Sequence, residues 1–155
     1  MLALLCMAGI TALVQQWQRE NPEPSCYALR AARTSTDMSA VDCGAYNATY
    51  KVALLVDSPD ERTPGRCPLG PYSVADDPSG GTRCLMLDVE AGDCLQTLTA
   101  RRKGREHSAL ARDECGPRSQ ERVTAVVTGP QSGCAPEEKA IHYSQPATTI
   151  CLGKP

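Results

Sequence analysis

Nine cysteines, two histidines and a scatter of carboxylates are the residues of this chain whose types could support chemistry. Apart from Cys6, the cysteines fall into two sets of four, at 26, 43, 67 and 84 and at 94, 115, 134 and 151. Structural zinc usually takes its thiolates from close pairs such as Cys-x-x-Cys, and dithiol redox sites use the same spacing. Within either set no two cysteines stand nearer than 17 residues, which disfavours both and leaves disulfides formed in an oxidising compartment. Cys26, Cys43, Cys67, Cys84, Cys94, Cys115, Cys134 and Cys151 are therefore expected to form two bonds per set. The preferred pairing joins first with second and third with fourth, because a hairpin opened by Cys26 and closed by Cys43 brings its two ends opposite each other. A nested alternative, 26 with 84 and 43 with 67, stays open.

The remaining candidates do not assemble into a reaction centre. His107 lies in a basic stretch and His142 beside Tyr143 in an expected strand, and no Gly-x-Ser-x-Gly, His-Glu-x-x-His or phosphate-binding glycine loop is present. Asp76-Asp77 and Asp57-Ser58-Pro59-Asp60-Glu61 lack the spaced oxygen ligands of a calcium loop and read as turns. Asn47-Ala48-Thr49 fits the glycosylation acceptor pattern. The expectation is no catalytic residue, no cofactor, no metal and no small-molecule substrate.

What the cysteines brace is written twice. Corresponding cysteines of the two sets are offset by 68, 72, 67 and 67 residues, and their neighbours agree. Asp42-Cys43-Gly44 before the run Tyr50 to Val56 is matched by Glu114-Cys115-Gly116 before Arg122 to Thr128, and Arg83-Cys84-Leu85 by Ile150-Cys151-Leu152. Tyr72-Ser73 and Tyr143-Ser144 also stand in comparable places. A period near 70 is too long for the common solenoids and indicates tandem duplication of a small domain. β-branched runs between turn-forming segments place strands near 26–31, 38–43, 50–56, 72–75 and 82–88, then near 94–101, 108–112, 122–128, 141–145 and 148–152. One helical turn is expected at 135–140, where a proline and two acids suit a first turn.

With no Phe, one Trp and five Tyr, neither copy can bury many large side chains, and modules of this size are marginal on burial alone. Val52 to Val56 and Val123 to Val127 are expected to supply a small core that the disulfides protect. The net charge of −2 with dispersed basic residues gives no electrostatic footprint for nucleic acid. The single dense basic run, Arg101, Arg102, Lys103 and Arg105, reads as a solvated loop or, secondarily, as a contact for an anionic partner.

Ahead of the modules, Leu2 to Val14 is a mostly apolar run ending at Gln15-Gln16-Trp17. It is shorter than the roughly 20 residues a spanning helix needs, and it lacks the basic start and cleavage site of a signal peptide. We expect it to be the later part of a membrane helix whose beginning lies upstream, with Trp17 at the interface. Cys6 is a candidate for lipidation, although Ala3-Leu4-Leu5 before it lacks the small residue that usually precedes an acylated cysteine. Gln18 to Ser25, with two prolines, is a linker. The expected organisation is an anchor over 1–17, a linker over 18–25 and β modules over 26–89 and 90–155. The expected fold class is mainly β, small β-rich α+β modules in a disulfide-stapled tandem repeat with an N-terminal apolar helix.

The pattern of a leading Cys26, Ala40-Val41-Asp42-Cys43, Ala48-Thr49-Tyr50-Lys51-Val52, Cys67 and Arg83-Cys84-Leu85 resembles the LppU-type lipoproteins of actinobacteria and the related septum-formation-like envelope domains. In the second copy the matching residues are Gly92-Asp93-Cys94, Asp113-Glu114-Cys115, Arg122-Val123, Cys134 and Ile150-Cys151-Leu152. The resemblance implies a membrane-tethered extracytoplasmic module without enzymatic activity. The Pro-His that often follows the second cysteine of the septum-formation-like domains is absent, and anchoring by a helix is favoured over acylation. The expected role is that of a non-catalytic, membrane-anchored cell-envelope protein whose modules bind another envelope protein or a membrane complex. A secreted disulfide-rich inhibitor or ligand-binding protein is the alternative.

Overall fold

The computed structural model describes residues 26–32, 35–57, 65–77, 81–102, 105–129 and 133–155. Ten strands run through them: β1 (Cys26–Ala32), β2 (Ser35–Val41), β3 (Tyr50–Val56), β4 (Ser73–Asp76), β5 (Thr82–Leu87), β6 (Cys94–Arg102), β7 (Arg105–Asp113), β8 (Glu121–Thr128), β9 (Lys139–Ser144) and β10 (Ala147–Gly153). They form two antiparallel five-stranded sheets, in the orders β2-β1-β3-β5-β4 and β7-β6-β8-β10-β9. Adding five to each strand of the first sheet reproduces the second, so the duplication inferred from cysteine spacing is a duplication of topology. The described residues are all-β. The helical turn expected at 135–140 is instead a non-helical turn at Pro136-Glu137 leading into β9. There the Glu138 carboxylate accepts the Ala135 amide at 2.8 Å and the Glu138 amide returns to the Ala135 carbonyl at 3.0 Å. These two bonds close a turn and leave no continuing helical ladder. The anchor helix expected over 1–17, with Cys6, and the linker over 18–25 lie outside the described residues. Among the described residues no helix is long and apolar enough to cross a membrane.

The repeat extends to details that spacing does not reveal. Val52 faces Leu85 while Leu54 faces Cys84, leaving Ala53 as the extra residue of a bulge. Val123 faces Leu152 while Ala125 faces Cys151, leaving Thr124 in the same position, with its hydroxyl donating to the Cys151 carbonyl at 3.1 Å. A bulge bends its strand and increases local twist, so each sheet bends beside its second disulfide. The bonds join Cys26 with Cys43, Cys67 with Cys84, Cys94 with Cys115 and Cys134 with Cys151, at Cα separations of 5.0, 5.6, 5.0 and 5.3 Å. All four lie in the ordinary range for a cystine. The first bond of each module ties the open end of a hairpin, since Cys26 faces Val41 and Cys94 faces Asp113. The second ties the segment before the edge strand to β5 or β10.

The β-branched runs supply only part of the core: Val123 is buried in it, and Val52 and Ala53 pack against it. β3 and β8 are half-exposed, with Leu55 and Val126 among the exposed large apolar residues. The closed strands are β5 and β10, in which Cys84 to Leu87 and Thr148 to Leu152 are buried without a break. A strand covered on both faces shows no alternation, so the sequence places strands at 82–88 and 148–152 without marking them as the core. Leu85, Met86, Leu87 and Val89 pack in one cluster with Leu95, Val123, Tyr143, Ile150 and Leu152. The hydrophobic core is thus common to both modules.

Polar contacts lock the junction. The Tyr50 hydroxyl donates to the Leu110 carbonyl at 2.8 Å, and the Tyr143 hydroxyl accepts the Leu87 amide at 3.2 Å. The Tyr72 hydroxyl bonds both backbone groups of Gln145 at 2.7 Å, donating to the carbonyl and accepting from the amide. Tyr72 and Tyr143 meet edge-to-face with ring centroids 5.1 Å apart. They are not equivalent residues, contrary to their comparable places in the sequence. Val74 faces Cys84 and Ala140 faces Cys151, so Tyr72 precedes its reference position and Tyr143 follows its own. Gly70, at φ 143°, lets this contact close: a Cβ there would come within 2.9 Å of the Tyr72 ring and 3.1 Å of the His142 carbonyl. The connection from Asp88 to Asp93 is held on both sides, with the Asp88 amide on the Thr49 carbonyl at 2.8 Å and the Gly92 amide on the Val123 carbonyl at 2.8 Å.

Candidate functional site

Where this connection enters β6, the two modules leave a cleft of about 360 Å³. Its walls are Tyr46 from the first module, Gly92, Asp93 and Cys94 at the start of the second, and Arg112, Asp113, Glu114 and Cys115 at the end of β7. The Cys94–Cys115 bond holds the last two groups together, and the turn at Cys115 takes a left-handed φ of 52°. Tyr46 arrives on the turn between Cys43 and Tyr50. That turn is set by the Asp42 carboxylate accepting the Gly44 amide at 2.7 Å and by the Ala45 and Ala48 amides donating to the Asp42 and Ala45 carbonyls.

Arg112 is the keystone of the cleft. Its backbone amide donates to the Thr49 hydroxyl at 3.1 Å. Its guanidinium Nη2 donates to the Asp88 carbonyl at 2.6 Å and pairs with Asp93 at 3.1 Å, while Nε is buried with no partner among the described residues. Asp93 also accepts the Glu90 amide at 2.8 Å, and Asp113 accepts the Ser119 hydroxyl at 2.8 Å. Glu114 is exposed. Three carboxylates against one guanidinium leave the lining with two negative charges in excess. The Tyr46 phenol, itself 55% exposed, is pushed above its ordinary value, first by lost hydration and then by the charges of Glu114 and Asp113.

The residues singled out in the sequence are placed elsewhere. His142 is exposed on edge strand β9, its Nδ1 2.9 Å from the hydroxyl of Thr149 directly opposite. Thr49 of the glycosylation pattern is buried, and its hydroxyl donates to the Asn47 carbonyl while receiving Arg112. Asp77 of the acidic pair bonds Arg83 at 2.6 Å. Arg101, Arg102 and Arg105 lie at the far end of the β6–β7 hairpin, where Arg102 faces Arg105, and Lys103 lies outside the described residues. Cys134, Glu138 and Cys151 bring ligand atoms within 4.8 Å of one another. The two sulfurs are spent on each other in a disulfide, so the group offers no thiolate pair to a metal. Sequence reasoning missed the cleft, although a signal existed. Once Cys94 is paired with Cys115, Asp93 and the Asp113-Glu114 pair must flank the same bond.

Fold and site define a class: a disulfide-braced, all-β tandem module with a charged cleft at its internal junction. No family model, curated protein or solved structure matches the chain.

Proposed function

We propose that the chain is a non-catalytic cell-envelope protein. Residues 1–17 anchor it in the membrane as a helix, 18–25 hold the modules off the surface, and the two β modules outside the membrane bind another envelope protein or a membrane complex. One observation carries the reading: four disulfides, two closed within each module, brace a protein whose shared core holds no Phe or Trp. Such a design is stable where thiols are oxidised, and the apolar run beside a proline-bearing linker supplies a tether. The resemblance to LppU-type envelope lipoproteins of actinobacteria points the same way. Fractionation of cells expressing the full chain, followed by mild solubilisation and mass spectrometry of what co-purifies, is expected to find it in the membrane fraction with a stoichiometric protein partner. Recovery of reduced, fully folded protein from the cytosol would sink the reading.

A second reading, a secreted inhibitor or ligand-binding protein, is favoured by the segment from residue 65 to 72. There Leu69 stands 91% exposed beside the Cys67–Cys84 bond, as a presented recognition residue would. Recovery of the chain from the medium, free of membrane, selects it.

A further inference from the structure

We infer that the cleft between the modules is a binding site for an organic cation, an alkylammonium or guanidinium group carried on an apolar stem. The proposal rests on the reading of these modules as binding modules, and it is independent of the anchor.

The first argument is what the fold does not require. At the end of β2 the first module has Ala40, Val41 and Asp42; at the end of β7 the second has Arg112, Asp113 and Glu114. Both sets lead into the first disulfide of their module, so the hairpin and bond form with an uncharged residue at the place of Asp113, while Arg112 is used at the junction. The two acids at the last of these positions also differ in employment. Asp42 holds the Gly44 amide, whereas Glu114, in the matching place, is exposed and has no hydrogen bond or ion pair among the described residues.

The second argument is electrostatic. Arg112 compensates Asp93, with which it is paired. Among the described residues Asp113 has a neutral hydroxyl as its partner, so with Glu114 it gives the lining two negative charges that Arg112 does not offset. An anionic ligand is repelled there. A cation is attracted by both charges of the lining, an attraction that added salt screens.

The third is shape. Among the described residues, Asp93, Asp113 and Glu114 do not bring oxygens within the 4.8 Å that marks a group able to hold one ion, and calcium needs six or more oxygens at short range. The volume of about 360 Å³ falls in the range of small organic ligands. Tyr46 adds an aromatic surface to the lining, more than half exposed, and a ring face can take cation–π and stem contacts. A diffuse cation with a hydrocarbon stem fits where a point charge does not. Two sources carry this chemistry, a free polyamine and a Lys or Arg side chain of a polypeptide.

The test is calorimetric titration of the disulfide-bonded full chain with spermidine, with Nα-acetyl-lysine and Nα-acetyl-arginine methylamides, with a lysine-bearing tripeptide and with calcium chloride. Saturable binding of at least one amine or guanidinium probe is expected, weakening with added salt. Glu114→Gln and Tyr46→Ala should each weaken it roughly three- to tenfold, while the control Glu137→Gln, the same charge change in the exposed turn before β9 at the sheet edge opposite β7, leaves it unchanged. Spermidine binding more tightly than the tripeptide identifies a free amine, and the reverse identifies a polypeptide side chain. Thermal melting of each variant separates lost binding from lost folding. Absence of saturable binding by every cation, native affinity retained in both cleft variants, or calcium binding that survives Tyr46→Ala and displaces the amines would overturn the proposal. Fractionation into the medium would count against the anchor and leave this result untouched.

Discussion

The residue facing Cys26 is Val41, and the residue facing Cys94 is Asp113. Around that difference nearly everything else is held constant: strand order, the disulfide plan, the bulge opposite Cys84 or Cys151, and a fully buried strand beside the outermost one. The modules diverge where they face each other. The first contributes Thr49, Tyr50, Tyr72 and the Leu87 amide; the second contributes Arg112, Tyr143 and the turn at Gln145. Backbone pairing and disulfides can be copied because they depend little on side-chain identity. A junction between two copies places unlike surfaces against each other and so selects different residues in each.

The comparison can be broken most forcefully at the disulfides. Removing Cys67 and Cys84 together, or Cys134 and Cys151 together, each as alanine pairs, is expected to cost about 3 kcal/mol, because the two loops are of equal length. Since the core is shared, either variant should unfold both sheets in one transition. Urea melts followed by circular dichroism and tyrosine fluorescence check this, and two separated transitions in either variant would show that the modules are energetically independent.

Arg112→Ala strips a partner from Asp93 and from the Asp88 carbonyl at the junction and should cost about 2 kcal/mol, a figure discounted for partial exposure. Ala40→Ser, at the matching place in the first module, should change the melting temperature by less than about 2 °C. Equal losses at the two positions would mean that Arg112 serves its own hairpin and not the junction.

Tyr143→Phe leaves the buried Leu87 amide without an acceptor and should cost about 1–2 kcal/mol. Tyr143 also sets a pH limit. Burial pushes its hydroxyl up to about 12, and burial raises that of Tyr50 too. Each group holds its proton more tightly when folded, so the stabilisation is complete below pH 10 and is lost as pH rises from 10 towards 12. Chemical unfolding at pH 8, 10 and 11.5 should show this decline, and it should be shallower in Tyr143→Phe. A flat profile in the native chain would contradict the buried, hydrogen-bonded tyrosines.

The smallest contrast lies in the acids before the second cysteines. Asp42→Ala removes the bond to Gly44 and should lower stability by about 0.5 kcal/mol, whereas Glu114→Gln should leave the melting temperature within about 2 °C of the native value. A clear loss in the latter would give Glu114 a structural duty and weaken the case for a cation site.

Much of this architecture is legible without coordinates. Cysteine offsets disclose the duplication, β-branched runs and turn residues locate ten strands to within a few positions, and hairpin logic favours the pairing that the bonds show. All of these depend on local chain geometry or on spacing along one chain, which a sequence records directly. The turn at 135–138 was misread because Pro-Glu-Glu chemistry suits a helix start as well as an isolated turn, and only the bonds made by Glu138 decide between them.

The sequence by itself determined the repeat, the β character, the disulfide framework and the dependence of a core poor in aromatics on that framework. Tertiary structure alone decided that β5 and β10 carry the core, that Tyr72 and Tyr143 meet although they are not equivalent, and that Tyr46 lines one cleft with Asp113 and Glu114, from which it is separated by about the length of a module. Those facts depend on how one copy is laid against the other. The relative placement of two folded surfaces is set by long-range packing, and no local propensity or spacing encodes it.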